Sequence, residues 1–326
     1  MSRLRLIALL TVLLSAAGLA QGPVRIASLA PQNSVWGKNL DQMAAEWAKA
    51  GAPATVFPDG RLGSDPDVVE KLVRLGTPQA AALTIVGLAK IDPAFNVFSM
   101  PFFFASYDEL YAVMDRLTPM MAERLDKKGL VLLSWGQGGW AQLFTTKPVK
   151  TVAEAKAIKL FTSAGDEGMM RLYTSNGFNP RALEMTDIMT SLSSGLIEGM
   201  PSPATAALAF QWFRQTKYML DVGVAPVTGA LVITKKHWNT IPEATRAKLL
   251  GSAKALEERL EKEIPVSERS SIEAMKGRGL IVNTATGPEW KALGETFSQA
   301  MLSSNMVPRD VYDLAVRERN AFRAKK

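Results

Sequence analysis

The order of its apolar runs constrains this chain most. Strand-like and helix-like runs alternate, the alternation restarts once, and a strand and a very long helix follow. Val24 to Leu29 predicts a strand. Trp36, Leu40, Met43, Ala44 and Trp47 then recur at helical spacing. Ala54 to Phe57 predicts a second strand, ended by Pro58-Asp59-Gly60. Val68, Val69, Leu72 and Leu75 mark a second helix, begun by Ser64-Asp65-Pro66 and stopped by Gly76. Ala80 to Val86 is an apolar run of buried-strand type. Such a βαβαβ succession implies parallel strands with helices on both faces.

Tyr107 to Lys128 reads as a helical stretch divided at Thr118-Pro119. Leu130 to Trp135 reads as a strand, followed by a flexible turn at Gly136-Gln137-Gly138-Gly139-Trp140. After Lys147-Pro148 the alternation restarts, with strands at 157–161, 197–200, 218–222 and 230–234 and helices among them. Pro242 to Arg278 predicts one long charged helix, kinked at Pro265. A strand at Leu280 to Val282 and two helices close the chain. Two α/β series joined by several crossovers predict a hinged clamshell. Its first lobe takes residues 21–144 with about 230–265, its second 145–229 with about 266–326, and helix 242–278 spans both. In open α/β sheets ligands bind beyond the carboxyl ends of the strands, so the cleft between lobes is the expected site.

The first twenty residues read as a leader. Arg3 and Arg5 precede an apolar run from Leu6 to Leu14, and small residues from Ser15 to Ala20 set up a cut after Ala20. That predicts export to an extracytoplasmic space, the periplasm. The run is shorter than the roughly 20 residues a membrane crossing needs. Removing Arg3 and Arg5 lowers the formal charge from +7 to +5. The remaining charges are scattered, which predicts no nucleic-acid partner and only a general attraction for anions.

Much chemistry is excluded. The chain has no cysteine and one histidine, His237, so disulfides, thiolate nucleophiles and multi-histidine metal sites are ruled out. Phosphate-loop, zincin, nucleophile-elbow and EF-hand motifs are missing. Asp65, Asp67, Asp166 and Glu167 sit at helix starts, where carboxylates favour the macrodipole. No enzyme, cofactor or metal is expected. Residues at strand ends instead predict a cleft with many apolar walls: Trp36, Trp135, Trp140, Phe161 and Met200 supply surface. Thr84, Gln137, Ser163, Thr186 and Ser202 supply hydrogen bonds. Trp36 and Met200 fit a core role equally well, and Phe102 to Phe104 read as core.

Several segments carry a resemblance: Val24-Arg25-Ile26-Ala27, Pro58-Asp59-Gly60-Arg61-Leu62-Gly63, Met100-Pro101-Phe102-Phe103-Phe104 through Leu110, and Thr186 through Gly199. In order and spacing they resemble the solute-binding subunits of TRAP transporters, the DctP-like periplasmic proteins. The resemblance runs from about Val24 to Arg323. It implies a periplasmic-binding-protein clamshell of two α/β lobes with mixed sheets, hinge crossovers and a long connecting helix. It also implies a small organic acid as ligand and TRAP membrane permease subunits as partners. In that family a strand arginine in a K-I-R-V-P-like context grips the ligand's carboxylate. Matched to Lys156-Ala157-Ile158-Lys159-Leu160-Phe161, that position holds Lys159, which either contacts the ligand or faces solvent. Lysine offers a rotatable point charge where arginine offers a planar fork. The departure implies a less common branch, some of whose members are associated with a tetratricopeptide-repeat periplasmic protein. The expected ligand is then an organic acid with a large apolar part. A lipid or other hydrophobic ligand on the same fold, and an exported hydrolase, are the alternatives.

Overall fold

A computed structural model describes residues 22–325; the expected leader and its cut after Ala20 lie outside the described residues. The strands are β1 (Val24–Ser28), β2 (Ala54–Phe57), β3 (Ala80–Thr84), β4 (Leu130–Thr145), β5 (Lys159–Ser163), β6 (Asn179–Leu183), β7 (Gly199–Ser202), β8 (Tyr218–Thr234) and β9 (Ile281–Thr284). The helices of the first part are α1 (Val35–Lys49), α2 (Asp65–Glu70), α3 (Ile85–Ile91) and α4 (Tyr107–Lys127). Then come α5 (Val152–Ala157), α6 (Glu167–Ser175), α7 (Ile188–Ser193) and α8 (Ala204–Ala209). The last are α9 (Lys235–Trp238), α10 (Glu243–Lys276), α11 (Glu289–Ser303) and α12 (Arg309–Arg323).

Among the described residues these strands form one continuous mixed sheet, ordered β2-β1-β3-β8-β4-β7-β5-β6, with β9 on β8. β1 is parallel to both β2 and β3, and β5 is parallel to both β6 and β7, as the two α/β series require. What joins the halves is a long antiparallel ribbon. β4 and β8 pair from Leu130 opposite Thr234 to Thr145 opposite Tyr218. Here the structure corrects the expected turn at Gly136 to Trp140. The glycines do not end the strand. They lie inside it, where the register shifts at a bulge between Gln137 and Gly139. Likewise the strands expected at 218–222 and 230–234 are one strand, because β4 offers a partner along their whole length.

Glycine is needed in this ribbon. A Cβ on Gly136 would lie 2.2 Å from the Trp36 ring, and Gly139 adopts φ +115° with Glu268 pressed against it. Two other expectations change. α4 runs through Pro119 without division, and Thr118 Oγ1 donates to the Met114 carbonyl one turn back. The run at 80–86 ends as a strand at Thr84, whose hydroxyl accepts from Val86 N–H and starts α3.

Three apolar clusters hold the sheet. On one face of the first half, Leu40, Met43 and Trp47 of α1 meet Leu249, Leu256 and Leu260 of α10. On the other face Phe95 and Phe98 pack on Trp135, at ring-centroid distances of 6.0 and 5.0 Å, within a cluster that also takes in α4 and α12. In the second half Phe144, Met200 and Met219 pack with Trp212 and Phe213. The last helix returns to the first half: α12 lies along α4, with Arg124 to Asp310 at 2.9 Å and Arg323 to Glu109 at 2.6 Å.

β7 joins β4 only from Gln142 onward, so before that point β4 is a sheet edge. Helix α10 covers this edge. Trp135 N–H donates to Glu257 Oε2 at 2.9 Å, and Trp140 N–H donates to Glu268 Oε1 at 2.7 Å. The spacing matches. Eleven residues of helix rise about 16 Å, and five residues of strand rise about the same. Glu268 also accepts from Tyr107 Oη. Truncating Glu268 to alanine orphans two half-buried donors and Glu257→Ala orphans one buried donor. Urea unfolding should therefore show losses of roughly 2–4 kcal/mol for the first and about 1.5–3 for the second. Equal and negligible losses would contradict this assignment.

Candidate functional site

A cavity of about 1120 Å³ opens between the two halves of the sheet. From the first half it is walled by the ends of β1 and β3, the start of α1 and helix α3. From the second it is walled by the ends of β5 and β7 and by the loops that follow them. The floor is the central part of the β4–β8 ribbon, including Gly138, Ala141 and Thr228. This is the cleft at the carboxyl ends of parallel strands that the strand order predicts.

Seven of the expected residues line it: Trp36, Thr84, Phe161, Ser163, Thr186, Met200 and Ser202. Trp36 does double duty. Its Nε1 donates to the Gln137 carbonyl at 2.5 Å, so the indole ties α1 to the ribbon while its ring faces the cleft. Ser202 Oγ donates to the Pro203 carbonyl at 3.0 Å.

Four expected residues do not line the cleft. Trp135 is core, 5% exposed, with its Nε1 donating to Thr118 Oγ1 at 2.8 Å. Gln137 is buried on the α10 side, donating from Nε2 to the Leu260 carbonyl at 3.3 Å. Trp140 turns its ring edge-on to Tyr107 at 5.2 Å and lies against Gly223. These three followed from ending the strand at Trp135 and reading 136–140 as a loop. In a strand, alternate side chains leave by opposite faces. Lys159 opens β5 at the end away from the cleft. Its Nζ donates to the Gly195 carbonyl at 2.8 Å, while Phe161 and Ser163 reach the cavity from the strand's other end.

The reading from sequence left out Lys90 and Met306, which also line the cavity. Lys90 belongs to α3, whose first two residues, Ile85 and Val86, fall within the run read as strand. Charge is unevenly placed. The cations Lys38, Lys90 and Arg171 are all exposed at the edge, and Arg171 pairs with Glu167 at 3.4 Å. Of the five carboxylates in the lining, Asp59, Glu167 and Glu184 are exposed as well, and Asp65 and Asp166 lie deeper. Asp166 caps α6, its Oδ1 accepting from Met169 N–H at 2.9 Å, and burial raises its pKa. Asp65, 3% exposed, accepts from Thr84 N–H at 2.9 Å and from Thr84 Oγ1, beside Gly87, where an added Cβ would lie 3.0 Å from its side chain.

Asp166 caps a helix, and Asp65 ties the start of α2 to Thr84. Among the described residues no cluster of acids and histidine could hold a metal ion. His237 lies in α9, outside the cleft lining, with burial lowering its pKa.

Desolvation raises the Asp65 pKa from 3.8 to about 6, outweighing its hydrogen bonds to Thr84. Between pH 4 and 6 the unfolded chain has released this proton and the folded chain keeps it. Stability therefore falls as pH rises through that window, by up to about 3 kcal/mol from this group. Asp65→Asn, which keeps an acceptor for Thr84 N–H, should remove that part of the slope. Urea midpoints of both proteins from pH 4 to 7 test this, and parallel curves would refute it.

The model of the DctP family, described as bacterial extracellular solute-binding protein, family 7, matches residues 26–304. A solute-binding protein of Chromohalobacter salexigens is 26% identical over 215 residues. That alignment covers 64% of this chain and 63% of the relative, just under two thirds of its length. The 2,3-diketo-L-gulonate-binding periplasmic protein YiaO of Escherichia coli is 23% identical over 249 residues, 76% of this chain and 75% of that one. Among solved structures, a TRAP periplasmic solute-binding protein of Xanthobacter autotrophicus with bound β-D-galacturonate superposes with a TM-score of 0.82 at 22% identity. The superposition covers 91% of this chain and 99% of the other. An extracytoplasmic solute receptor of Bordetella pertussis binding pyroglutamic acid gives 0.84 at 20% identity, covering 92% and 99%. The two-lobed fold is thus shared with solute-binding receptors.

Proposed function

Because this chain belongs to the bacterial extracellular solute-binding proteins of family 7, we propose that it captures an organic acid with a sizeable apolar part. It closes its two lobes on that solute in the periplasm and delivers it to the membrane subunits of a TRAP-type permease. A tetratricopeptide-repeat periplasmic protein is a further partner in this reading. The observation that carries the proposal is the cleft itself: a large cavity walled by both halves, mostly apolar inside, with exposed charged groups of both signs, Lys90 among them, in its lining. A ligand touching both walls at once favours the closed arrangement by its differential contacts.

Acid ligands also fit the relatives, whose names and bound solutes include galacturonate, pyroglutamic acid and diketogulonate. In our reading the carboxylate sits toward Lys90, and the apolar part lies on Phe161, Trp36 and Met200. Because Lys159 opens β5 away from the cleft, the K-I-R-V-P-like pattern is matched in this reading two residues further on, to Lys159-Leu160-Phe161-Thr162-Ser163, with Phe161 instead of Lys159 in the arginine's place. A ring there replaces a fork for carboxylates with a surface for stacking. Flexible thioethers at Met169, Met200 and Met306 suit apolar bodies of varied shape.

The first lobe in this reading holds β1, β2 and β3 with residues 230–265, and helix α12, expected with 266–326 in the second lobe, is moved to it because it packs along α4. The second holds β5, β6 and β7. Among the described residues no helix is long and apolar enough to cross a membrane, in keeping with a receptor that meets its permease from outside. The same apolar walls favour a second reading, a carrier of a lipid or other hydrophobic ligand.

Native mass spectrometry of freshly purified protein separates the two, by an acid or a neutral lipid leaving with the chain. Calorimetry with the released solute then reads the site. Phe161→Ala should weaken binding by about tenfold or more, the loss of a buried aromatic face. Lys159→Ala should change it by less than about twofold, since the hydrogen bond it removes lies outside the cleft. The reverse ranking would return Lys159 to the site.

A further inference from the structure

The two walls of the cleft touch at its mouth. A Cβ on Gly165, in the loop after β5, would lie 3.3 Å from Pro66 Cγ at the start of α2. Glycine is needed there twice, for this close approach and for its φ of +80°. Each side of the contact is braced within its own lobe. Pro66 follows Asp65, which accepts from Thr84 N–H at 2.9 Å, so α2 starts against α3, the helix that carries Lys90. Gly165 precedes Asp166, whose backbone N–H donates to the Ser163 carbonyl at 3.1 Å and whose Oδ1 caps α6. Lys90 and Asp166 line the cavity from opposite lobes with opposite charges. Burial, the largest effect, raises the Asp166 pKa, and the Met169 N–H and the Lys90 ammonium work against it. Arg171 also attracts Asp166, but both stand in the second lobe, where Arg171 pairs with Glu167. A further link runs along α6. Asn96 of the first half donates from Nδ2 to the Met306 carbonyl at 2.9 Å, and a Cβ on Gly168 would lie 2.8 Å from Met306 Cε.

We propose that this contact is a latch: Pro66 seated on Gly165, with Lys90 and Asp166 attracting each other across the mouth, draws the lobes together before a solute arrives. The proposal rests on the two-lobed receptor reading and adds the residues that bias its closure. A charge pair shared between lobes favours the closed arrangement alone, since parting the lobes puts water between the charges. Lysine has three donors, so Lys90 can face Asp166 on one side and a solute carboxylate on the other. A solute then binds lobes already inclined to shut and leaves only as the latch parts. Because Lys90 is exposed, its pairing biases closure modestly, by about two- to fivefold.

The chain has no cysteine, so Pro66→Cys with Gly165→Cys supplies its only two thiols. The approach suits a disulfide, whose Cβ atoms stand about 3.5–4.5 Å apart. Oxidation of this variant by copper phenanthroline, after refolding from urea to strip solute, should close an internal cross-link in most chains, read as the loss of two hydrogens by intact mass. Adding Asp166→Asn, which keeps the helix cap, should slow that closure about two- to fivefold in ~20 mM salt. Raising the salt to ~0.5 M should erase most of the difference by screening. A merely structural role for Asp166 would give no such salt dependence. If the cysteine pair fails to fold, a carbodiimide on the unaltered chain tests the same latch. It should join Lys90 to Asp166 by an amide in the peptide map, absent from Asp166→Asn. No cross-link, an equal rate in Asp166→Asn, or a difference that salt leaves unchanged would overturn the latch. None of these readings uses a solute, so the latch fails separately from the receptor reading, which native mass spectrometry tests.

Discussion

An unpaired strand edge inside a protein must find acceptors for its amides, and much of this molecule follows from how β4 finds them. The strand runs through both halves, but its second neighbour arrives only at Gln142. Over the preceding residues the outward N–H groups meet a helix, whose own backbone groups are already paired. Side-chain carboxylates fill the gap. Glu257 and Glu268 accept Trp135 N–H and Trp140 N–H, and buried glutamates are otherwise hard to justify energetically. The result fixes α10 to the ribbon on either side of the bulge and leaves Gly136 to Gly139 as the stretch between. Trp36 lies across that stretch, bonded to the Gln137 carbonyl, so the first lobe, the ribbon and the cleft meet at one side chain.

The cleft's electrostatics follow from the same economy of buried charge. Lysine and arginine stay at the edge, where water solvates them, and the deeper carboxyls are held by backbone N–H groups at helix starts. What remains inside is apolar surface with scattered hydroxyls. Such a site ranks its ligands by shape and by the position of one charged end, more than by a fixed pattern of ion pairs.

Periodicity made the two α/β series, the long helix and the cleft legible, because strand ends and helix starts can be placed from the chain alone. Phe161, Ser163, Met200 and Thr84 come to the cavity wall where strand ends place them. The failures share a cause. Gly136 to Trp140 carries turn composition, and only its pairing with an equally long β8 makes it a strand. Once it is a strand, Gln137 and Trp135 must point away from the cleft. Lys159 shows a second limit: a residue type suggests a role, but its position along a five-residue strand decides which end it serves. Lys90 was missed because Ile85 and Val86 continue an apolar run that the backbone abandons at Thr84. The glutamate ties had no local signal, since helix α10 and strand β4 are more than a hundred residues apart in sequence.

Helix α12 lies on α4, in the half of the molecule that holds β1. The lobe whose strands leave the ribosome first is therefore the one completed last. Phe103 and Arg319, 4.1 Å apart in a cation–π contact, cannot meet until more than two hundred intervening residues have been synthesised. A growing chain consequently cannot complete its first core until its last helix has been made.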